Sequence, residues 1–445
     1  MDEVFTSLGL APDFETVGEG SLPSRFQVTN LAVAAYGAVG QAMVGLLEAQ
    51  GLARRPKVRV DRRLASLWYG VSIQPNGWEL PPLWDAVAGL YRCKTGWIRL
   101  HTNLPHHRAA ALSVLNAAPK RAAVAQAALS WRADELETAI ARAGGVAAMM
   151  RTADEWAAHP QGQAVAQEPL IDWVAPRITK PKTWSATLKR PLNGLKVLDL
   201  TRVLAGPVAT RTLAGFGAEV LRIDPPEWEE PNVIPDVTLG KRCARLDLTQ
   251  PNDRARFETL LSEADIFVHG YRNGALEGLG YGLAARQALN PALIEASLNA
   301  YGWTGPWATR RGFDSLVQMA CGIAESGMQW AKAEAPTPLP VQALDHATGY
   351  VMAAAIIKTL TAATAGQVQN ARLSLARTAV TLKQYQQAEH GALSLSPEKL
   401  DFNPRVETTP WGPAQRLNPA LSIEGCPMQW ESPAAALGSS AAIWA

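Results

Sequence analysis

The sequence predicts an α/β protein in which an open, mostly parallel sheet carries helices on both faces and a smaller α+β domain is attached. Short apolar runs alternate with helical stretches between about residues 190 and 300, which is typical of parallel strands joined by crossover helices. Residues 75–155 show a different pattern, with short strand-like runs followed by small helices. The chain of 445 residues is long enough for two or three domains.

Residues 1–74 are predicted to form a crossing helix and a strand that complete the large domain. The apolar stretch 31–47 predicts a buried helix, and the run VRVDRRLASLW that follows predicts a strand that becomes helical. A second apolar stretch at 350–366 is interrupted by a lysine and three threonines. Because a membrane span needs about 20 predominantly apolar residues, we expect both stretches to be buried in a soluble protein.

Residues 75–155 are predicted to be a small α+β domain. LYRCKTGWIRLHTN reads as two short strands about a Lys-Thr-Gly turn, and PHHRAAALSVLNA begins a series of small helices. His106 and His107 are adjacent and have no acidic residue at ligand spacing, so we interpret them as solvated loop residues and predict no metal site. The segment 156–190 is rich in Pro and Lys without periodicity and is predicted to be a linker.

The region 191–395 is predicted to be the large domain. Five short apolar runs predict its parallel strands: LKVLDL, AEVLRID, ARLDL, DIFVHG and ALIEASL. Pro207, just after the first run, suits the first turn of a helix. The remaining segment, 396–445, is rich in Pro, Ser and Ala and is predicted to be an irregular tail.

The composition narrows the function. Charged residues make up 18% of the chain and the formal net charge is +2, which argues against a nucleic-acid surface and favours surface buried in an oligomer. The four cysteines show no paired or metal-binding spacing, so we expect reduced thiols, no zinc and a cytoplasmic protein. The acidic start MDEVFTSLGL does not resemble a secretory signal.

The turn after the first predicted strand lacks the glycines of a dinucleotide site. Such a site needs GxGxxG so that the backbone can approach a pyrophosphate, whereas only Gly206 lies in this turn. Nicotinamide binding is therefore disfavoured. Arg202 and the N–H groups of the turn could hold a different phosphorylated ligand at the helix start, or Arg202 could be an ordinary surface residue.

Two further basic or aromatic pairs lie where ligands could bind. Lys241 and Arg242 precede a predicted strand and are either a solvated edge or contacts for an anionic nucleotide tail. Tyr271 and Arg272 follow the fourth strand, at the end of an open α/β sheet where ligands usually bind. An aromatic ring there could stack on adenine.

A carboxylate and an imidazole, Asp345 and His346, stand at the start of a strongly apolar predicted helix. Asp345 could cap the helix, since free N–H groups and the helix dipole favour an acid there. Alternatively, a partly desolvated carboxylate could be a nucleophile towards an activated acyl group. His346 could tune the ionisation of Asp345 or help to cap the helix.

The chain contains an apparent internal repeat. FQVTNLAVAAYGAVGQAMVGLLEAQG near the N-terminus matches VQALDHATGYVMAAAIIKTL, with Asn30 at the place of Asp345. In both copies a polar break and an alternating strand follow the helix. Chance similarity between two alanine-rich helices is the alternative explanation.

Several motifs resemble the class III CoA-transferases, the family of formyl-CoA and carnitine CoA-transferases and of the alpha-methylacyl-CoA racemases. They occur in the family's order: LNGLKVLDLTRVLAGP, GKRCARLDL, ADIFVHGYRNGALEGLGYG, the segment around GFD at 312–314, and PVQALDHATGYVMAAAIIKTL. The resemblance implies a Rossmann-like large domain and a catalytic aspartate at Asp345. It also implies that CoA is bound by Arg202, Val203, Ala205, Lys241, Tyr271 and Arg272.

The resemblance implies an acyl-CoA:carboxylate CoA-transferase that uses acyl-CoA as a substrate and holds no permanent cofactor. It also implies a homodimer, for which interlocked rings are one arrangement. Residues 26–160 resemble the second half of the family, so the domain order is permuted. Two departures leave rivals open. Asn30 is no nucleophile, which fits an inactive CoA-binding or assembly relative. Phe313 replaces the racemases' histidine, which weakens a racemase or dehydratase reading.

Overall fold

The computed structural model describes residues 1–387 and 395–445, so residues 388–394, near the end of the predicted large domain, lie outside it. The N-terminal region begins with a short helix and a short strand and then enters a long apolar helix. Its elements are α1 (Asp2–Leu8), β1 (Glu15–Val17), α2 (Val28–Ala49), β2 (Val58–Asp61), α3 (Arg62–Leu67) and β3 (Ile73–Pro75).

The small domain is an antiparallel sheet covered by three helices. The sheet order is β4-β5-β6, and its apolar face packs against α4, α5 and α6 around Ile98, Leu136 and Ile140. The elements are β4 (Gly89–Arg92), β5 (Trp97–Leu100), α4 (Pro105–Leu115), α5 (Arg121–Ala128), α6 (Ala133–Arg142), β6 (Ala147–Met149) and α7 (Ala153–Ala158).

The predicted linker 156–190 contains two regular elements, so that prediction is wrong in part. They are α8 (Pro160–Gln167) and β7 (Asp172–Ile178), which pairs antiparallel with a strand of the large sheet. β7 is an edge strand and contains Pro176. An edge strand tolerates proline because one side of it donates no ladder hydrogen bonds, and this proline hides the strand pattern from sequence reasoning.

The large domain is the predicted parallel α/β sheet, and all five predicted strands are present. The first part comprises β8 (Lys196–Leu200), α9 (Ala205–Gly215), β9 (Glu219–Asp224), α10 (Ile234–Val237), β10 (Lys241–Arg245), α11 (Pro251–Glu263), β11 (Ile266–His269), α12 (Ala275–Gly278), α13 (Leu283–Leu289) and β12 (Ile294–Asn299). The second part comprises α14 (Asp314–Ala320), α15 (Ile323–Ala331), α16 (Ala343–Ala363), β13 (Gln367–Ser374) and α17 (Leu375–Lys383).

The strand order places a ligand crevice at the centre of the large sheet. The order is β10-β9-β8-β11-β12-β13-β7, and every pair is parallel except β13 with β7. Successive residues Val197 and Leu198 of β8 enter different hydrophobic cores, one on each face, so helices cover both faces as predicted. The order reverses between β8 and β11, and such a switch point opens a crevice at the carboxyl ends of the two strands.

The predicted irregular tail 396–445 contains three strands, which corrects that prediction. A 3₁₀ turn at Lys399–Asp401 leads into β14 (Phe402–Thr409), β15 (Gly412–Leu417) and β16 (Leu421–Ile423). β14 and β15 form a sheet with β3, and β16 pairs with β2. These strands form by pairing with the N-terminal region, and local composition carries no sign of a partner so distant in sequence.

The two repeat copies share their element order and their starting geometry. α2 leads through β2 into α3, as α16 leads through β13 into α17. The residue before each helix has nearly the same backbone angles, φ −75° and ψ 62° at Gln27 and φ −77° and ψ 65° at Gln342. This correspondence is more than two alanine-rich helices would share by chance.

The two copies pack against each other, but their strands do not share a sheet. The hydroxyl groups of Tyr36 and Tyr350 hydrogen-bond between α2 and α16. β2 pairs with β1 and β16, whereas β13 joins the large sheet. The prediction that 1–74 completes the large domain therefore holds for the helix contact and not for the strand.

By length and composition α2 could cross a membrane, but 72% of its most apolar window is buried inside the protein.

Candidate active site

Asp345 lies in the first turn of α16, at the meeting point of two cavities. Asp345 is buried, with 7% of its surface exposed. It nevertheless lines one cavity of about 610 Å³ and another of about 450 Å³. Phe313 and the turn residues Val203 and Leu204 also line both. Asp345 is therefore a buried residue that borders both cavities.

The smaller cavity, which we call the switch-point cavity, lies at the reversal of the large sheet. Its walls are the turns that follow β8, β11 and β12, together with the segment before α14. Arg202, Val203, Ala205, Tyr271 and Arg272 all line it with Asp345. The structure thus brings together five of the six residues to which the resemblance assigned CoA binding.

The larger cavity, which we call the interdomain cavity, lies between the two domains. The small domain contributes Trp84, Arg99 and His101, and the large domain contributes Asp345 and His346 from α16. The segment before α16 adds an apolar wall. One chain therefore supplies both sides of this cavity.

Asp314 caps α16, which leaves the Asp345 carboxylate free. Oδ2 of Asp314 accepts hydrogen bonds from the backbone N–H groups of Leu344, at 2.8 Å, and Asp345, at 3.0 Å. Its Oδ1 accepts a hydrogen bond from the Gln318 amide. Within the described residues, the Asp345 carboxylate accepts no hydrogen bond. The capping role that the sequence left open for Asp345 thus falls to a different carboxylate.

Both carboxylates hold a proton more tightly than an exposed acid does. Burial, and then repulsion from Asp314, holds the pKa of Asp345 well above its ordinary value. Burial raises the pKa of Asp314 to about 6, although its hydrogen bonds act in the opposite direction. A desolvated carboxylate with a raised pKa and no hydrogen-bond donor is a stronger nucleophile when ionised than a solvated one.

His346 stays neutral beside Asp345. Its ring stacks on Tyr69 with centroids 5.0 Å apart, and burial lowers the pKa of His346 to about 3. A neutral imidazole brings no positive charge to the site. Of the two roles that the sequence left open, tuning Asp345 through charge is therefore not supported by the structure, and Asp314 provides the cap.

The first turn of the large domain is held in an unusual conformation. Val203 has φ +65°, in the left-handed region that residues with a side chain rarely adopt. Its N–H donates to Oε1 of Glu230 at 2.9 Å, and that carboxylate also pairs with Arg222 at 3.0 Å. The hydrogen bond to Glu230, which is itself held by Arg222, stabilises the strained backbone of Val203. Strained residues of this kind occur often at ligand sites.

Arg202 lies between two aromatic rings on the cavity wall. Its guanidinium lies 4.3 Å from the ring centroid of Trp228 and 5.1 Å from that of Tyr271, whose hydroxyl accepts a hydrogen bond from it at 2.8 Å. Such stacking orients the guanidinium and keeps it desolvated. Nε of Arg202 also lies 3.9 Å from Oδ1 of the buried Asp224, so the guanidinium is held by two rings and a long ion pair.

Lys241 does not reach either cavity, and its assignment to CoA binding is corrected. Its side chain is 0% exposed, and its Nζ donates to Asp199 at 3.0 Å, Thr210 at 2.7 Å and the Pro207 carbonyl at 3.0 Å. Strand β10 directs this side chain beneath α9. Lys241 therefore supports the start of α9, and the neighbouring Arg242 pairs with Glu219 at 3.1 Å.

Sequence reasoning missed Asp314, Arg99 and His101. Asp314 is the last residue of the GFD motif, in which sequence reasoning considered only Phe313. An acid at the start of an apolar helix was the sequence feature that could have indicated its importance. His101 stacks on Phe313 with centroids 4.0 Å apart, and burial lowers the pKa of His101 to about 3. No local pattern predicts such contacts between domains.

The comparisons match mainly the large-domain part of the chain. Residues 192–410 match the family model CoA-transferase family III. The chain is 34% identical over 197 residues to acetyl-coenzyme A transferase nodX of Hypoxylon pulicicidum, covering 42% of this chain and 33% of that protein. It is 33% identical over 147 residues to human succinyl-CoA:glutarate CoA-transferase, covering 30% of this chain and 34% of that protein.

A solved structure is also similar. The crystal structure of Rv3272 from Mycobacterium tuberculosis is 32% identical, with a TM-score of 0.41 over 44% of this chain and 56% of that chain. The chain spans about a third of the length of the two curated relatives named here. In the described residues, no group of three or more His, Cys, Asp or Glu side chains could hold a metal ion.

Proposed function

We propose that the protein is an acyl-CoA:carboxylate CoA-transferase whose nucleophile is Asp345. The observation that carries the proposal is the position of this carboxylate, free of capping duty, where two cavities meet. The names of the relatives support CoA transfer as the class of reaction. Coenzyme A and its thioesters are then substrates, and no resident cofactor is needed for the chemistry.

CoA occupies the switch-point cavity in this proposal. Arg272 and Arg311 both line it, and burial, followed by repulsion from Arg272, lowers the pKa of Arg311. Two arginines that repel each other within a cavity favour an anion between them. The phosphates of CoA supply such charge, and Tyr271 and Arg202 offer planar surfaces for the adenine. The thioester then lies at Asp345, with the acyl group in the interdomain cavity.

The reaction then consists of four acyl transfers that need no external oxidant or proton donor. An Asp345 oxygen attacks the thioester carbon, the C–S bond breaks, and CoA thiolate leaves a mixed anhydride. The thiolate attacks the carbonyl carbon of Asp345 and expels the donor acid as a carboxylate. The acceptor carboxylate attacks this aspartyl thioester and releases the thiolate again. The thiolate finally attacks the acceptor's carbonyl carbon and frees Asp345.

Water must be kept from the anhydride and thioester intermediates. Phe313 and Leu104 are apolar residues that line both cavities near Asp345. An apolar surround also strengthens the nucleophile, because the carboxylate gives up its hydration. Burial of Asp345 thus serves the chemistry although it costs stability.

Trapping the intermediate tests the proposal. The protein is incubated with acetyl-CoA, quenched with hydroxylamine and digested, and mass spectrometry locates the hydroxamate. We expect the modification at Asp345, its loss in Asp345→Asn, and its retention in Asn30→Ala, the matched control at the equivalent position of the first repeat copy. CoA exchange that survives in Asp345→Asn would overturn the nucleophile. Binding of CoA without any adduct or exchange would instead favour the inactive relative.

The racemase alternative has its own readout. Phe313 replaces the histidine, and the imidazole stacked on it, His101, has a pKa lowered to about 3 by burial. A group so weakly basic is a poor acceptor for the proton next to a thioester. We therefore expect that a 2-methylacyl-CoA incubated with the protein in D2O takes up no deuterium at the carbon next to the thioester.

A further inference from the structure

Among the residues that the structure describes, Arg99 is the one arginine or lysine that lines the interdomain cavity, and it forms no ion pair. Arg99 is 8% exposed, and its guanidinium lies 4.5 Å from the ring centroid of Trp84. Within the described ranges 1–387 and 395–445, the guanidinium makes no hydrogen bond and no ion pair, and its buried Nε has no partner. Burying a charge without a partner costs several kcal/mol, and the charge of Asp314, which raises the pKa of Arg99 without contacting it, offsets only part of the effect of burial. An anion within hydrogen-bond distance would therefore stabilise the guanidinium.

The carboxylates of the same cavity wall are already paired, which excludes them as that partner. Asp85 pairs with Arg108 at 2.9 Å, Asp236 with Arg211 at 2.9 Å, and Glu230 with Arg222 at 3.0 Å. Glu229 pairs with Arg245. Asp345 is the remaining carboxylate of this wall, and it forms no ion pair with Arg99. Asp314 does not line the cavity; its charge raises the pKa of Arg99, but the two side chains form no ion pair.

Arg99 and Asp345 lie on the same cavity without touching. Both line it, yet Arg99 is not among the charges that shift the pKa of Asp345, whereas Asp314 is. A carboxylate held by Arg99 is therefore distinct from a carboxylate reacting at Asp345. The wall between the two domains also includes Leu80, Pro82, Leu339 and Val341, which suit methylene groups.

We propose that Arg99 binds the second, non-reacting carboxylate of a dicarboxylic acid, so that the transferred acyl group or its acceptor is a small aliphatic diacid. This inference rests on the proposed function. A guanidinium matches a carboxylate with two parallel N–H···O bonds, and it binds most tightly where water is excluded. Burial lowers the pKa of Arg99 only to about 10, so the side chain remains charged at neutral pH.

Acceptor pairs of matched length test the proposal. With acetyl-CoA as donor, kcat/KM is measured for succinate against butyrate and for glutarate against valerate. We expect the diacids to be preferred and Arg99→Met to lower their kcat/KM about 10- to 100-fold, mainly through KM. The values for the monoacids should be unchanged. Arg99→Lys keeps the charge and should retain part of the preference.

Arg92→Met is the matched control. Arg92 lies on the neighbouring strand β4, and its guanidinium stacks on Trp97 at 5.5 Å but lines neither cavity. The Arg92→Met variant should leave kcat/KM unchanged for every acid tested. An equal loss for diacids and monoacids in Arg99→Met would overturn the inference, because Arg99 would then hold the reacting carboxylate. Equal use of both acid types by the wild-type protein would overturn it as well.

A binding measurement separates this inference from the proposed function. If no acceptor is turned over and no adduct forms at Asp345, the transferase proposal fails. Calorimetric titration of succinate and butyrate into the wild-type and Arg99→Met proteins then decides the role of Arg99. Succinate binding that is lost in the variant supports the diacid site, and absence of any preference for succinate over butyrate refutes it.

Discussion

At the residue scale, the site depends on a division of labour between two acids. Asp314 accepts two backbone N–H groups of the first turn of α16, and within the described part of the chain the carboxylate of Asp345 accepts no hydrogen bond. Burial raises the pKa of both acids, and the charge of Asp314 raises that of Asp345 further. The sequence predicted the important position but not its partner, because the partner lies 31 residues away in the chain and only the folded backbone brings it to the helix start.

Replacing Asp345 by Asn should stabilise the protein. The folded pKa of Asp345 lies above its ordinary value of 3.8, so the native state binds more protons than the unfolded state as pH rises above that value. The free energy of unfolding of the wild type therefore falls with rising pH. We expect Asp345→Asn to gain on the order of 1–3 kcal/mol at pH 7, measured by urea denaturation. A gain that is equal at pH 4 and pH 7 would contradict this explanation.

Replacing Asp314 by Asn should move the pH dependence of activity. The amide oxygen can still accept from the helix N–H groups, but the negative charge beside Asp345 is lost. The pKa of Asp345 then falls, and the rise of kcat/KM with pH should shift to lower pH. Asp61→Asn is the control, since Asp61 caps α3 with a hydrogen bond of 3.0 Å from Leu64. It should change stability alone, and a shift in its profile would argue against the assignment.

At the element scale, the cavities exist because α9 and α16 pack closely behind the turn that carries Arg202. Gly349 of α16 faces α9, and a Cβ there would lie 2.3 Å from the carbonyl oxygen of Ala205. The repeat, the five parallel strands and the helix starts were predictable from local pattern. The edge strand β7, with its proline, and the strands β14 to β16 were not, because tertiary pairing selects them.

Gly349→Ala should therefore disturb both stability and the site. Overpacking of this kind typically costs about 1–3 kcal/mol, and the shift of Ala205 should raise KM for acetyl-CoA. Gly45→Ala is the matched control in α2, where a Cβ would meet nothing within 4 Å. That change should stabilise the protein by about 0.5–1 kcal/mol. Thermal unfolding and initial rates measure both, and equal effects of the two substitutions would contradict the close packing.

At the scale of the whole molecule, both domains of the chain contribute walls to the candidate site. The small domain and α16 meet across the interdomain cavity, while β16 ties the C-terminal strands to β2. The resemblance implied a homodimer of interlocked protomers. Here two crossing helices from the same chain pack together, so the pairing of repeat copies that was visible in sequence occurs within the chain.

The site should accordingly not need a second chain to be complete. We expect the rate per mole of chain to stay constant when the protein is diluted from micromolar to low nanomolar concentration. Light scattering at the upper concentrations gives the oligomeric state in parallel. A rate that falls with dilution, together with dissociation of a dimer, would show that a partner chain contributes to the site.

The unequal helix starts of the repeat have a consequence for how such a chain can change over generations. Asn30 stands where the other copy has Asp345, the proposed nucleophile, and its amide donates a hydrogen bond to Oε1 of Gln27 at 2.7 Å. Selection on the chemistry acts on a single copy, whereas the other needs only to keep its shape. Mutations should accumulate more freely at the start of α2 than at the start of α16. New surface properties can then arise around the first repeat copy without loss of turnover.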